Sequence, residues 1–156
     1  MLLKRKMYKN LLSIYSLMLL SFSMKAQTQQ DSIAIKQVAL DYIESQHHVK
    51  PSQMKRALHP KMVKRTFWKN KAKKDDFLLE TSRETMINVA KTYNKNGNGF
   101  PENPTKKVNI LDIFDRTASV KLIANDWIDY MHIVKLNGKW TIVNVLWQYK
   151  DSSKQK

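Results

Sequence analysis

Asn137-Gly138 lies between two runs rich in Ile, Val, Trp and Tyr, Trp127 to Leu136 and Lys139 to Tyr149. Both central residues of the favoured two-residue hairpin turn need positive φ, which Asn and Gly tolerate best, so the pair predicts a β-hairpin and fixes its register. Leu136 then faces Lys139, Val134 faces Thr141, Ile133 faces Ile142, Met131 faces Asn144 and Asp129 faces Leu146. One face carries Trp127, Asp129, Met131, Ile133 and Lys135 with Trp140, Ile142, Asn144, Leu146 and Gln148. The other carries Ile128, Tyr130, His132, Val134 and Leu136 with Lys139, Thr141, Val143, Val145 and Trp147. Both are largely apolar, so each face needs a cover.

The N-terminus reads as an address rather than as structure. Lys4, Arg5, Lys6 and Lys9 precede an apolar run from Leu11 to Phe22, and Ala26 is the expected last residue before cleavage, with Ser23 the competing point. The run is short for a membrane span, so a signal peptide over residues 1–26 and a mature chain from 27 to 156 are expected, in the periplasm or outside the cell. No stable membrane anchor then remains after cleavage. The absence of cysteine excludes a lipidated cysteine, a disulfide framework and thiolate chemistry.

The mature chain has the length of one domain with a modest core. Five of the 28 basic residues fall in the first 26 positions, so 23 basic face 13 acidic residues in the remainder, a formal charge of +10. Much of the excess lies between Lys50 and Lys74, which hold ten Lys or Arg and no carboxylate. A polyanion site and a solvated, self-repelling surface both fit such a run; the surface is the simpler account, and export argues against nucleic acid.

From the start of the mature chain, Asp31 to Gln46 has helical spacing through Ile33, Ile35, Val38, Leu40, Tyr42 and Ile43. Pro51 to Leu58 follows as a short second helix, closed by His59-Pro60. Met62, Lys64, Thr66 and Trp68 alternate with Val63, Arg65 and Phe67, as in a strand, and Phe77 to Leu79 reads as another. Thr81 and Glu84 give a capping-box start to a helix that runs to Tyr93. Asn94 to Pro104, with two Gly, two Pro and four Asn, is a loop. Strands at Lys107 to Phe114 and Thr117 to Asn125, joined by Asp115-Arg116 and followed by Asn125-Asp126, lead into the hairpin. Helices first and a meander last give an α+β class, with helices on one face of a curved antiparallel sheet.

The order of elements and three segments resemble a known family. Ala118-Ser119-Val120-Lys121, Trp127 through Lys135, and Asn137-Gly138-Lys139-Trp140-Thr141-Ile142-Val143-Asn144 are similar to the putative lumazine-binding family of the nuclear transport factor 2-like superfamily. Leu58-His59-Pro60 with Lys64-Arg65 adds to the likeness. The resemblance implies a cone-shaped, cystatin-like α+β fold in which N-terminal helices pack on a bent sheet and a pocket opens at one end. It implies no particular ligand, because the superfamily includes ketosteroid isomerase-like and dehydratase enzymes, transport factors and members without known activity.

The hairpin register places Asp129 beside Asn144 and Gln148, with Trp127 and Met131 on its own strand. A carboxyl in apolar surroundings with amides in reach has a raised pKa and can act as a base or a neutral donor; a structural Asp satisfied by local donors has the same neighbours. Trp127, Asp129, Met131, Trp140, Asn144 and Gln148 are the candidate pocket set, and the resemblance adds His59 near the mouth. An Asp129→Asn change is then expected to cost no more than about 1–2 kcal/mol. His132 falls on the other face. No metal spacing, phosphate loop or hydrolase elbow occurs, and no cofactor is expected. The expected function is an exported small-molecule-binding or interaction domain for a small apolar or amphipathic ligand. The alternative is an isomerase or dehydratase using Asp129 as its acid or base. A homodimer is expected through the apolar sheet face opposite the pocket.

Overall fold

The structure, a computed structural model, describes residues 29–70, 72 and 75–156. The expected signal peptide lies outside them. Residues 34–156 form one unit, and residues 29–33 are helical and belong to the preceding unit.

Helix α1 runs over residues 29–47 and turns Ile35, Ala39, Tyr42, Ile43 and Gln46 inward, the one-face spacing of an amphipathic helix. It ends in a left-handed residue, Val49 with φ 55°, while Lys50 N donates to Ser45 O at 2.8 Å. Helix α2, Pro51–Ala57, starts on its proline, and its last carbonyls find side-chain partners. Arg83 donates to Lys55 O at 2.9 Å and Leu58 O at 3.1 Å, and Thr141 donates to Ala57 O at 3.1 Å.

Six strands follow in one sheet: β1 Leu58–Asn70, β2 Asp75–Ser82, β3 Lys106–Phe114, β4 Thr117–Ala124, β5 Trp127–Leu136 and β6 Lys139–Tyr149. Their order is β2-β1-β6-β5-β4-β3. All neighbours are antiparallel except β1 and β6, which run parallel. Helix α3, Arg83–Thr92, leaves β2 directly. Its N-cap is Ser82, whose side chain accepts from Thr85 N, and not Thr81, which still pairs with Lys64 inside the sheet. Asp115, Asn125 and Asn137 all have positive φ, as tight turns at those positions require.

The hairpin register holds from the turn as far as Ile133 opposite Ile142. There β6 carries one extra residue, so His132 pairs with Asn144, Asp129 with Trp147 and Trp127 with Tyr149. The bulge reverses the faces of the far half of β6. Val145, Trp147 and Tyr149 join Asp129 on the inner face, and Asn144, Leu146 and Gln148 turn outward. Bulges in β1 and β3 add further irregularity to the sheet. The core lies between its inner face and the helices, around Tyr42, Met54, Met62, Leu122, Met131, Ile133 and Ile142.

Two irregular segments are firmly tied. In the loop after α3, Asn94 donates to His47 O at 2.6 Å and accepts from Gly99 N at 2.8 Å. This seats Phe100 against His47, Tyr93 and Trp127, with ring centroids 5.3, 5.4 and 5.7 Å away. A side chain at Gly99 would meet Tyr93 O at 2.7 Å, so only glycine permits that approach. At the C-terminus Gln155 is wholly buried, accepting from Tyr149 N at 3.0 Å and donating to Thr66 Oγ1 and Phe67 O.

Candidate functional site

A cavity of about 270 Å³ opens between α1, α3 and the inner face of the sheet. Gln46 comes from α1, Lys64 from β1, Thr81 from β2, and Thr85, Met86 and Val89 from α3, with Tyr93 just beyond it; Trp127, Trp147 and Tyr149 close the sheet side. The walls are mainly aromatic and aliphatic, with a few polar groups, as ligand cavities commonly are. Phe100 packs behind Tyr93 and Trp127, so the long loop supports two of the walls.

Among the described residues Lys64 is the only charged one on these walls. Its Nζ donates to Asp129 Oδ1 at 2.9 Å and to Tyr42 OH at 2.7 Å, and lies 4.7 Å from the centre of the Trp147 ring. Asp129 is wholly buried behind it. Burial pushes the Asp129 carboxyl above the usual range, against the opposing pull of Lys64 and of the Trp127 indole. Burial likewise raises the Tyr42 phenol well above its ordinary value, with the Asp129 charge adding to the effect. Asp129 Oδ2 and Trp127 Nε1 are both buried and make no hydrogen bond of normal geometry among the described residues, so the pull of the indole on the carboxyl is that of a nearby N–H dipole and not of a formed bond.

The structure brings together part of the expected site. Trp127 lines the cavity, Asp129 sits behind Lys64, and Met131 and Trp140 are buried in the core. Asn144 and Gln148 do not face Asp129, because the β6 bulge turns them to the other side. Gln148 is exposed, while Asn144 accepts from Arg65 Nη1 at 3.0 Å and lies 3.4 Å from His132 Nδ1. His59 is not on the cavity wall; its Nδ1 accepts from Lys61 N at 3.1 Å at the start of β1. The polar company of Asp129 is therefore a lysine and a tyrosine rather than two amides. Sequence reasoning had assigned Lys64 to a solvated basic run. The signal was its place on the same strand face as Met62, Thr66 and Trp68.

On the outer face a second hollow of about 460 Å³ is lined by Asp112, Thr117, Ala118, Ser119, His132, Ile133, Val134 and Val143. Asp112 pairs with Ser119 and Ser119 with His132 across three strands. Among the described residues no group of three or more His, Asp or Glu is placed to hold a metal, and no helix is long and apolar enough to cross a membrane.

Helices packed on an open, curved six-stranded sheet with a cavity between them define the nuclear transport factor 2-like, cystatin-like class. Within it, the chain belongs to the putative lumazine-binding family, whose model matches residues 30–148. A nuclear transport factor 2-like protein of unknown function from Shewanella baltica is similar in structure, with 23% identity, 76% of this chain and 93% of that chain covered, and a TM-score of 0.56. One from Methylobacillus flagellatus shows 21% identity, coverage of 77% and 92%, and a TM-score of 0.58. The putative scytalone dehydratase of Novosphingobium aromaticivorans shows 12% identity, coverage of 81% and 88%, and a TM-score of 0.53. At these identities the likeness is one of fold. No curated protein matches the sequence.

Proposed function

We propose that the chain is an exported small-molecule-binding protein of its family, acting without chemistry as a homodimer. The observation that carries the binding role is the cavity of about 270 Å³, apolar on most sides and polar at one buried corner. Its ligand is small and apolar or amphipathic. Export rests on the basic and then apolar N-terminus, with the periplasm or the exterior as destination and no membrane anchor retained after cleavage. Nucleic acid is not a partner in this reading, since the described residues of the basic run are divided between a buried ion pair at Lys64, a surface pair of Arg65 with Glu80, and solvent. Native mass spectrometry of protein purified from its own cells tests both points. A retained small molecule and a chain beginning near Gln27 are expected; full-length chain recovered from the cytoplasm would refute export.

The Tyr42, Lys64 and Asp129 cluster favours one second reading, an isomerase or dehydratase with Asp129 as acid or base. Asp129 is wholly buried and absent from the cavity wall, however, so a substrate proton has no path to it unless Lys64 moves. Turnover of a bound compound that Asp129→Asn abolishes, with binding retained, would establish this reading in place of the first.

A further inference from the structure

We propose that the ligand is a flat, uncharged carbonyl compound whose oxygen accepts a hydrogen bond from Lys64 Nζ; this rests on the binding role proposed above. An ammonium has three N–H donors. Two are committed at Lys64, to Asp129 Oδ1 at 2.9 Å and Tyr42 OH at 2.7 Å. Among the described residues the third has no oxygen, only ring faces, with 4.7 Å from Nζ to the Trp147 ring centre and 5.4 Å to that of Tyr42. Lys64 and Trp147 both line the cavity, so that donor is available to a molecule inside it.

Charge selects among possible acceptors. Asp129 already neutralises Lys64, and among the described residues no other charged side chain lines the cavity. A ligand carboxylate would be a second anion competing for one buried cation, left largely uncompensated in apolar surroundings. A plain hydrocarbon would leave the third N–H on the ring face. A ketone, lactone or amide oxygen gives it a charge-assisted hydrogen bond and adds no charge.

The walls select shape. Trp127, Trp147 and Tyr149 present ring surfaces, with Trp147 and Tyr149 edge to face at 5.2 Å, and such surfaces favour a planar ring. Met86 and Val89 provide the apolar side on α3.

The test uses the purified protein and N-phenyl-1-naphthylamine, a neutral dye that fluoresces on entering an apolar cavity. Fluorene, 9-fluorenone and fluorene-9-carboxylate compete with it, sharing one ring frame and differing in the polar group. Fluorenone should displace the dye at concentrations about tenfold or more below either of the others, the scale of a charge-assisted hydrogen bond. Its carbonyl stretch should fall below the frequency seen in water. In Lys64→Met/Asp129→Leu, which removes both charges together, the preference for ketone over hydrocarbon should disappear. If that variant does not fold, the three compounds on the unaltered protein decide alone. Equal competition by fluorene and fluorenone, tighter binding of the carboxylate, or an unshifted carbonyl stretch would overturn the proposal while the cavity's binding role stands. If the dye itself does not enter, the binding role fails and the proposal with it.

Discussion

Lys64 Nζ on the cavity wall and Asp129 Oδ1 behind it stand 2.9 Å apart, in side chains 9% and 0% exposed. Breaking such a pair leaves one buried charge alone, whereas removing both can be nearly neutral. Lys64→Met and Asp129→Leu are each expected to cost about 3–5 kcal/mol, and Lys64→Met/Asp129→Leu to recover most of that loss. Urea unfolding of the three variants checks it; additive losses would mean that the pair is not coupled.

The pH dependence follows from the raised Asp129 carboxyl, for which burial outweighs the attraction of Lys64. A carboxyl with a folded pKa above its unfolded value takes up its proton in the native state first. Its contribution to stability is full below the unfolded pKa and is lost as pH rises through the folded one. Measured against Asp129→Asn, wild-type stability should therefore increase on acidification from neutral pH through the folded pKa toward the ordinary carboxylate range. A relative decrease over the same range would show that the Lys64 attraction dominates.

Much of the fold was legible because its signals are local. Asn137-Gly138 announces the hairpin, and the spacing through Ile33, Ile35, Val38, Leu40, Tyr42 and Ile43 announces α1. The bulge was not legible. Val143 and Val145 are equally apolar, no glycine marks the extra residue, and the parallel partner β1 lies far away in the chain. That single slip put Asn144 and Gln148 in the candidate site and left Trp147 out of it. Lys64 was hidden for a different reason. A lysine in a basic run has a solvated default, and only tertiary pairing with Asp129, 65 residues away, overrides it.

Val49 ends α1 in the left-handed region with φ 55°, a conformation that β-branched residues adopt at a cost of roughly 1–2 kcal/mol. Asn tolerates this conformation and keeps the unfolded chain less free than Gly would. Val49→Asn should raise stability by about 0.5–1 kcal/mol in thermal or urea unfolding, part of the relief being offset by lost apolar contact at this half-buried position. An equal or larger loss would mean that the Val49 side chain contributes more through packing than its backbone costs.

The proposed homodimer uses the outer face of the sheet, but with a different residue set from the one the unbulged register suggests. Val145 is wholly buried and Trp147 lines the cavity, so neither belongs to that surface. The residues that do are Tyr130 and Leu146, which pair across β5 and β6 and are 44% and 51% exposed, with Leu111 and Phe114 on β3. Apolar groups gathered on one sheet face are the usual mark of a protein contact, and a two-fold pairing there would bury on the order of 1,600 Å². Light scattering after size exclusion at micromolar concentration should give a dimer mass for the unaltered protein. Leu146→Glu/Tyr130→Glu should give a monomer with unchanged circular dichroism, since both side chains point away from the core. A monomer mass for the unaltered protein, or a dimer that survives both charges, would place the contact elsewhere.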